Sequence, residues 1–512
     1  MKHIRQTAGP IYLSAVALVV FIGGSSRAST LKENWMAVYF QGQKVGHAHM
    51  RIQERTADTP TEDEKQEKRY VTTTTQELNI QRGGNDLKFE THEKIVEDSA
   101  GRVLSFKRNI LQGPLDQRLQ GRREGDDFII VTGEGENEVK QTAEAPDVLG
   151  PWAVEMITRR KGYEPGTSYT LPVFTLDAPT RKVTARVHVR GKEDKQIFDA
   201  TKSLHRVEVE LSILPNMETT EWVDSTGTAW LTQTTIGPME LVLRRTPEEA
   251  AVKPADGEGI TIDMGITPDE SIENPRQLQR LVLRISPSEP GSDLPDLPDD
   301  SLQTLTRHDD HLIAEIRRAS QQEDGYTIPW TGDDFRSYLE ETSWLEINHP
   351  NIQQMAREAI GDQTDAYRAA QRIESYVAGE IADKNLDLGF ATAAETAKER
   401  AGDCSEHAVL AAALARAAGI PSRLVAGLAY GGPLPGDKNP RFYFHMWAEL
   451  YTGEWTPIDP ALGSHSATHL AIKRSDLRNP DSLTVLSSAV MGVAGHVDIE
   501  VLETQKKGSS AN

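Results

Sequence analysis

Residues 404–418 read Cys-Ser-Glu-His-Ala-Val-Leu-Ala-Ala-Ala-Leu-Ala-Arg-Ala-Ala, and no other stretch narrows the possible folds as much. The punctuation is that of a helix. Asp403 is a good N-cap, Glu406 follows three residues later as in a capping box, and Gly419 then Pro421 supply a left-handed terminal residue and a stop. Ala408, Val409, Leu410, Ala411, Ala412, Ala413, Leu414, Ala417 and Ala418 cover nearly every side of that helix, so other elements have to surround it. Cys404 takes the first helical position, where a buried helix meets a cleft. Amides at that end and the positive pole of the helix dipole favour a thiolate, although Asp403 and Glu406 partly oppose the field.

Cys404 is the only cysteine among 512 residues, so the chain forms no internal disulfide. A nucleophilic thiol needs a base brought to it by the fold. Arg441 to Tyr451 alternates as a strand, Thr452-Gly453-Glu454 turns the chain, and Trp455 to Ile458 returns it to Asp459, near the level of His445 on the hairpin. A carboxylate there can accept the second imidazole N–H, fixing the tautomer and stabilising an imidazolium.

Gly402-Asp403-Cys404 opening a helix, Gly419-Ile420-Pro421-Ser422-Arg423, His445-Met446-Trp447-Ala448-Glu449, and Trp455 with Ile458-Asp459-Pro460 together resemble the bacterial branch of the transglutaminase-like superfamily. The resemblance covers residues 336–475. It implies an α+β, papain-like core in which the Cys helix packs on an antiparallel sheet bearing His and Asp. It also implies acyl-enzyme chemistry on glutaminyl or peptide amides through a thioester, with transfer to a primary amine and hydrolysis both open. By that resemblance Cys404 is the nucleophile, His445 the general base and acid, and Asp459 the residue that orients it; no cofactor is implied. No tryptophan lies between Trp344 and Cys404, which leaves the second oxyanion donor unassigned beside the Cys404 backbone N–H.

The remainder of the chain is organised around this core. Lys2 and Arg5, the apolar run Ile11 to Ile22, and Ser26-Arg27-Ala28 read as a signal peptide over 1–28, giving an exported protein: periplasmic, cell-envelope or secreted. The alternative is an uncleaved anchor, disfavoured because the run is shorter than the roughly 20 residues a spanning helix needs. Residues 29–245 are rich in β-branched runs separated by turns and predict an antiparallel β-rich domain. Residues 246–263 read as a linker, 264–335 as a small β segment with an acidic, Pro-rich loop, 336–475 as the catalytic domain with two preceding amphipathic helices, and 476–512 as a strand region with a disordered tail. The acidic loop lacks the glycine and ligand spacing of a calcium site.

A net charge of −21 argues against nucleic acid as a partner and for solubility, and it is silent on oligomeric state; a protein or peptide substrate is what the resemblance implies. Two rival readings stand beside the enzyme. One is a non-catalytic scaffold or binding module of the cell envelope. The other is a zinc site made of Cys404, His407 and His445 with His465 or His469, whose spacing is poor and which is set aside. His407 reads as a local hydrogen bond to the helix start, and Trp447 and Trp455 as wall residues. Gly427, Gly431 and Gly432 read as a turn before the His445 strand.

Overall fold

The computed structural model describes residues 30–506 apart from 57–67, 83–84, 113–114, 134, 136–137, 214–216, 237–238, 255–264, 290–293, 383–390, 434–438, 480–481 and 494–495. The expected signal at 1–28, most of the second half of the 246–263 linker, part of the acidic loop and the end of the tail lie outside the described residues. Near residue 261 the chain divides into two compact units, and the architecture is α+β with antiparallel sheets. No helix among the described residues is long and apolar enough to cross a membrane.

The first unit is built on one sheet of fourteen strands. Eight follow one another from Thr30–Phe40 to Val139–Glu144; six more run from Ser168–Val173 to Met239–Arg245, and the last pairs with the first, Val38 opposite Leu243. Leu149 bridges both Arg102 and Val173, so the sheet curls towards its own far edge. Alternation places Ile95, Val103, Phe106, Leu119, Phe128 and Ile130 inside, where they pack with Phe174 and Leu176. Helix Pro151–Lys161 is held by Glu97, which accepts the N–H groups of Trp152 and Ala153 at 3.0 and 2.8 Å. Lys32 is fully buried and its Nζ donates to Glu155 Oε2 at 2.7 Å; burial lowers the ammonium to about 7 despite that carboxylate.

Among the described residues, the second unit has two four-stranded sheets and five α-helices. In one sheet, Leu278–Pro287, Gln303–Arg307 and Leu312–Arg317 combine with Val497–Lys506 from the end of the chain. The other has the order Trp455–Ile458, Arg441–Tyr451, Ser422–Gly431, His469–Ser475. Gln303 ties the two sheets, accepting the Ala471 N–H at 2.8 Å and donating to its carbonyl at 2.9 Å. Helices Pro350–Ile360, Ala366–Glu380 and Ala393–Glu399 pack around helix Cys404–Ala417, which also lies on strand Arg441–Tyr451. That central helix is buried from Cys404 to Arg416, as its all-round apolar sequence requires. Its buried Arg416 is met by the carbonyls of Glu340, Ser422 and Asp476 at 2.6, 2.9 and 2.6 Å.

The glycine-rich stretch corrects the turn expected there. Gly427 and Gly431 lie within strand Ser422–Gly431, with Gly427 opposite His445. A Cβ on Gly427 would stand 2.1 Å from the Leu470 carbonyl oxygen and 2.8 Å from the Trp447 ring, so glycine is used for close strand approach.

Candidate active site

Both helix-start signals are realised as hydrogen bonds. The Asp403 carboxylate accepts from the Ser405 N–H at 2.9 Å and Ser405 Oγ at 2.7 Å, while Glu406 accepts from the Asp403 N–H at 2.9 Å and the Ala391 N–H at 3.0 Å. Gly402 has φ +140, and a Cβ there would meet the Glu406 side chain at 2.5 Å, which accounts for glycine in Gly-Asp-Cys. Burial, then the charge of Asp403, raises the Glu406 carboxyl well above its ordinary range. Cys404, 6% exposed, opens this helix. His407 bonds the Asp403 carbonyl through Nδ1 at 2.6 Å, the local role expected of it.

Two strand motifs meet in register. Arg423 lies opposite Glu449 across strands Ser422–Gly431 and Arg441–Tyr451, with Arg423 Nε donating to Glu449 Oε2 at 2.6 Å. Arg474 from strand His469–Ser475 adds a second guanidinium at 3.0 Å and also reaches Asp300 at 2.5 Å. Glu449, 3% exposed, thus locks three strands together, and the acidic loop contributes Asp300 to this lock. Trp455 carries the Arg423 guanidinium 4.0 Å above its ring, while Trp447 is buried against Val425 and Ala471, so both tryptophans serve as walls.

His445 lies on one of the two inner strands of its sheet, and its Nε2 is 2.8 Å from Asp459 Oδ2. Asp459 follows strand Trp455–Ile458 directly and is fully buried. Its Oδ1 accepts the Leu462 N–H at 3.0 Å, and its own N–H donates to Glu374 Oε1 of helix Ala366–Glu380 at 2.7 Å. A second imidazole, His469, reaches the same Oδ2 at 2.9 Å; the Ser466 N–H donates to its Nδ1 at 3.2 Å, which leaves Nε2 as the protonated nitrogen. Burial alone would raise Asp459, but the charge and hydrogen bond of His445 and the hydrogen bond of His469 overcome it and hold the carboxyl well below the usual range. Burial lowers His469 and, further, His465, so both are neutral near pH 7. Glu374 is pushed up to about 7, mainly by burial, with the Asp459 charge adding to it.

With Nε2–H directed at Asp459, the proton-accepting nitrogen of His445 is Nδ1. Such an imidazole can take a proton from a thiol and return it to a leaving amine. The expected His445–Asp459 pairing is therefore present, and Cys404 opens the helix that packs on the His445 strand. Glu374 and His469 were not legible as members of this centre: their contacts with Asp459 span 85 and 10 residues, and no local pattern announces either. The zinc set considered from sequence is not the one that converges. Among the described residues the group with metal-ligand geometry is His445, Asp459 and His469, whose ligand atoms lie within 4.8 Å of one another.

Residues 353–460 match the transglutaminase-like superfamily, a span that contains Cys404, His445 and Asp459. Four chains of solved structure are similar. One is a candidate cysteine protease from Cytophaga hutchinsonii, 15% identical, with 46% of this chain and 90% of that one covered at a TM-score of 0.28. Another is a β-barrel-like protein of a domain of unknown function from Brucella abortus, 10% identical, with 43% of this chain and 97% of that one covered at a TM-score of 0.30. No curated protein matches by sequence.

Proposed function

We propose that the transglutaminase-like domain at residues 353–460 is a cysteine acyltransferase or amide hydrolase that works through Cys404, His445 and Asp459. The observation that carries this reading is the buried 2.8 Å bond from His445 Nε2 to Asp459 Oδ2, which reserves Nδ1 for the thiol proton. Cys404 gives that proton to His445 and attacks a glutaminyl or peptide carbonyl as thiolate. His445 then protonates the departing amine, leaving a thioester. A primary amine or water, deprotonated by His445, resolves the thioester and frees the thiol. The Cys404 backbone N–H at the helix start supplies one donor to the tetrahedral oxyanion. Asp459 keeps the imidazole in the required tautomer and stabilises its charged form. In this reading the substrate is a protein or peptide met after export.

The test is the rate of Cys404 alkylation by iodoacetamide against pH. An activated thiol ionises well below the free value of roughly 8.5, and His445→Ala should slow labelling near neutrality at least tenfold. Asp459→Asn, which removes the charge facing two imidazoles, should slow it by a similar factor or more. Labelling that is slow in the native protein and indifferent to both substitutions would instead support a non-catalytic envelope module. Where the thiol is activated, labelled primary amines offered with glutaminyl peptides separate transfer from hydrolysis.

A further inference from the structure

We infer that His445, Asp459 and His469 form a binding site for a divalent cation of the zinc class, and that its occupancy switches the thiol centre off. The switching half of this inference rests on the function proposed above; the binding half does not. Two imidazole nitrogens and a carboxylate oxygen within 4.8 Å of one another are the two-histidine, one-carboxylate donor set that zinc takes with ligand distances of roughly 2.0–2.2 Å. All three side chains are buried, and Trp447, Val425 and Ala471 form an apolar wall beside them. A further imidazole, His465, lies beside His469 but is not a member of the cluster. The His465 ring centroid is 4.5 Å from that of His469, and its Nδ1 has no hydrogen-bond partner among the described residues.

The exchange is a tautomeric one: each ring, in its neutral form, moves its proton from the Nε2 that faces Asp459 to Nδ1, so that the bare Nε2 becomes the ligand and no proton is released. For His469 the outer contact exists already: the Ser466 carbonyl is 3.1 Å from Nδ1 and accepts that proton, in place of the bond from the Ser466 N–H at 3.2 Å. With metal on Nε2 and on Asp459, His445 no longer has the carboxylate as its orienting partner, and a neighbouring dication opposes its becoming imidazolium. Cys404 is not a member of the cluster, so the metal would act on the base and leave the sulfur unligated.

Zinc titrated calorimetrically into the Cys404→Ala variant of the full chain tests the binding half with no thiol present. One equivalent should bind, and His469→Gln, which keeps an N–H donor for Asp459, should weaken binding at least tenfold. In the wild type, alkylation should slow over the same zinc range and recover on chelation. The inference is overturned if Cys404→Ala binds no zinc, if His469→Gln binds as tightly, or if zinc binds without slowing an activated thiol. Should His469→Gln fail to fold, imidazole resonances of Cys404→Ala decide: two histidine Nε2 signals shift together with zinc, and their constancy refutes the site. An unactivated Cys404 would end the catalytic proposal while leaving the zinc titration fully readable.

Discussion

Glu374 holds Asp459 by accepting its backbone N–H, yet its own half-buried carboxyl lies next to the Asp459 charge. Because the folded value, about 7, exceeds the ordinary 4.5, the native state keeps a proton that the unfolded chain releases. The resulting cost is absent below pH 4.5, builds up to about pH 7 and is constant above; it amounts to ~3 kcal/mol from the size of the shift. Glu374→Gln retains the acceptor and cannot ionise, so urea unfolding should find it more stable than the wild type at pH 8, with the gap shrinking towards pH 5. The reverse trend would place the carboxylate among stabilising charges. At this scale the sequence singles out Cys404, His445 and Asp459 as candidates because each is flagged by its own neighbours: a capping box, a strand alternation, a hairpin return. His469 and Glu374 are flagged by nothing local. On an amphipathic helix Glu374 lies beside Ile373, one polar position among many, and only the fold reveals what it touches.

Strand Ser422–Gly431 is the element on which the centre depends, since it pairs on one side with the His445 strand and on the other with the strand that begins at His469. Gly427→Ala places a methyl 2.1 Å from the Leu470 oxygen, a contact that neither backbone can relieve without parting the strands. We expect a loss of at least about 2 kcal/mol in stability and a parallel loss of thiol activation, read by thermal melting and by alkylation rate on the same samples. A variant as stable as the wild type would mean that the strands separate at no cost. The same close approach explains why glycines that look like turn punctuation belong to a strand. Elsewhere it is the polar strands that are hardest to read from sequence. Leu115–Glu124 reads LDQRLQGRRE and Val139–Glu144 reads VKQTAE, with too few apolar positions to declare a period. Their pairing comes from neighbouring strands. Helix Pro151–Lys161 likewise takes its N-terminal partner from Glu97, more than fifty residues earlier.

At the scale of the whole chain, each unit has a buried core and its own buried ionic groups, so their unfolding can be addressed separately. Lys32→Met takes the 2.7 Å ammonium from Glu155 inside the first unit. Breaking a buried pair from one side costs about 3–5 kcal/mol, and calorimetry should show the transition of that unit moving down while Cys404 alkylation is unchanged. Loss of thiol activation in Lys32→Met would show that the two units fold as one.

The four bonds at Asp459 also bear on how the chain is made. They come from helix Ala366–Glu380, from His445 on strand Arg441–Tyr451 and from Leu462 and His469 further along, so no partial fold that lacks any of these presents a completed base. During synthesis Cys404 leaves the ribosome before His445, Asp459 and His469 do. Under the proposed function, the sulfur is an ordinary thiol until the last of them docks, and chemical competence is postponed to the end of folding.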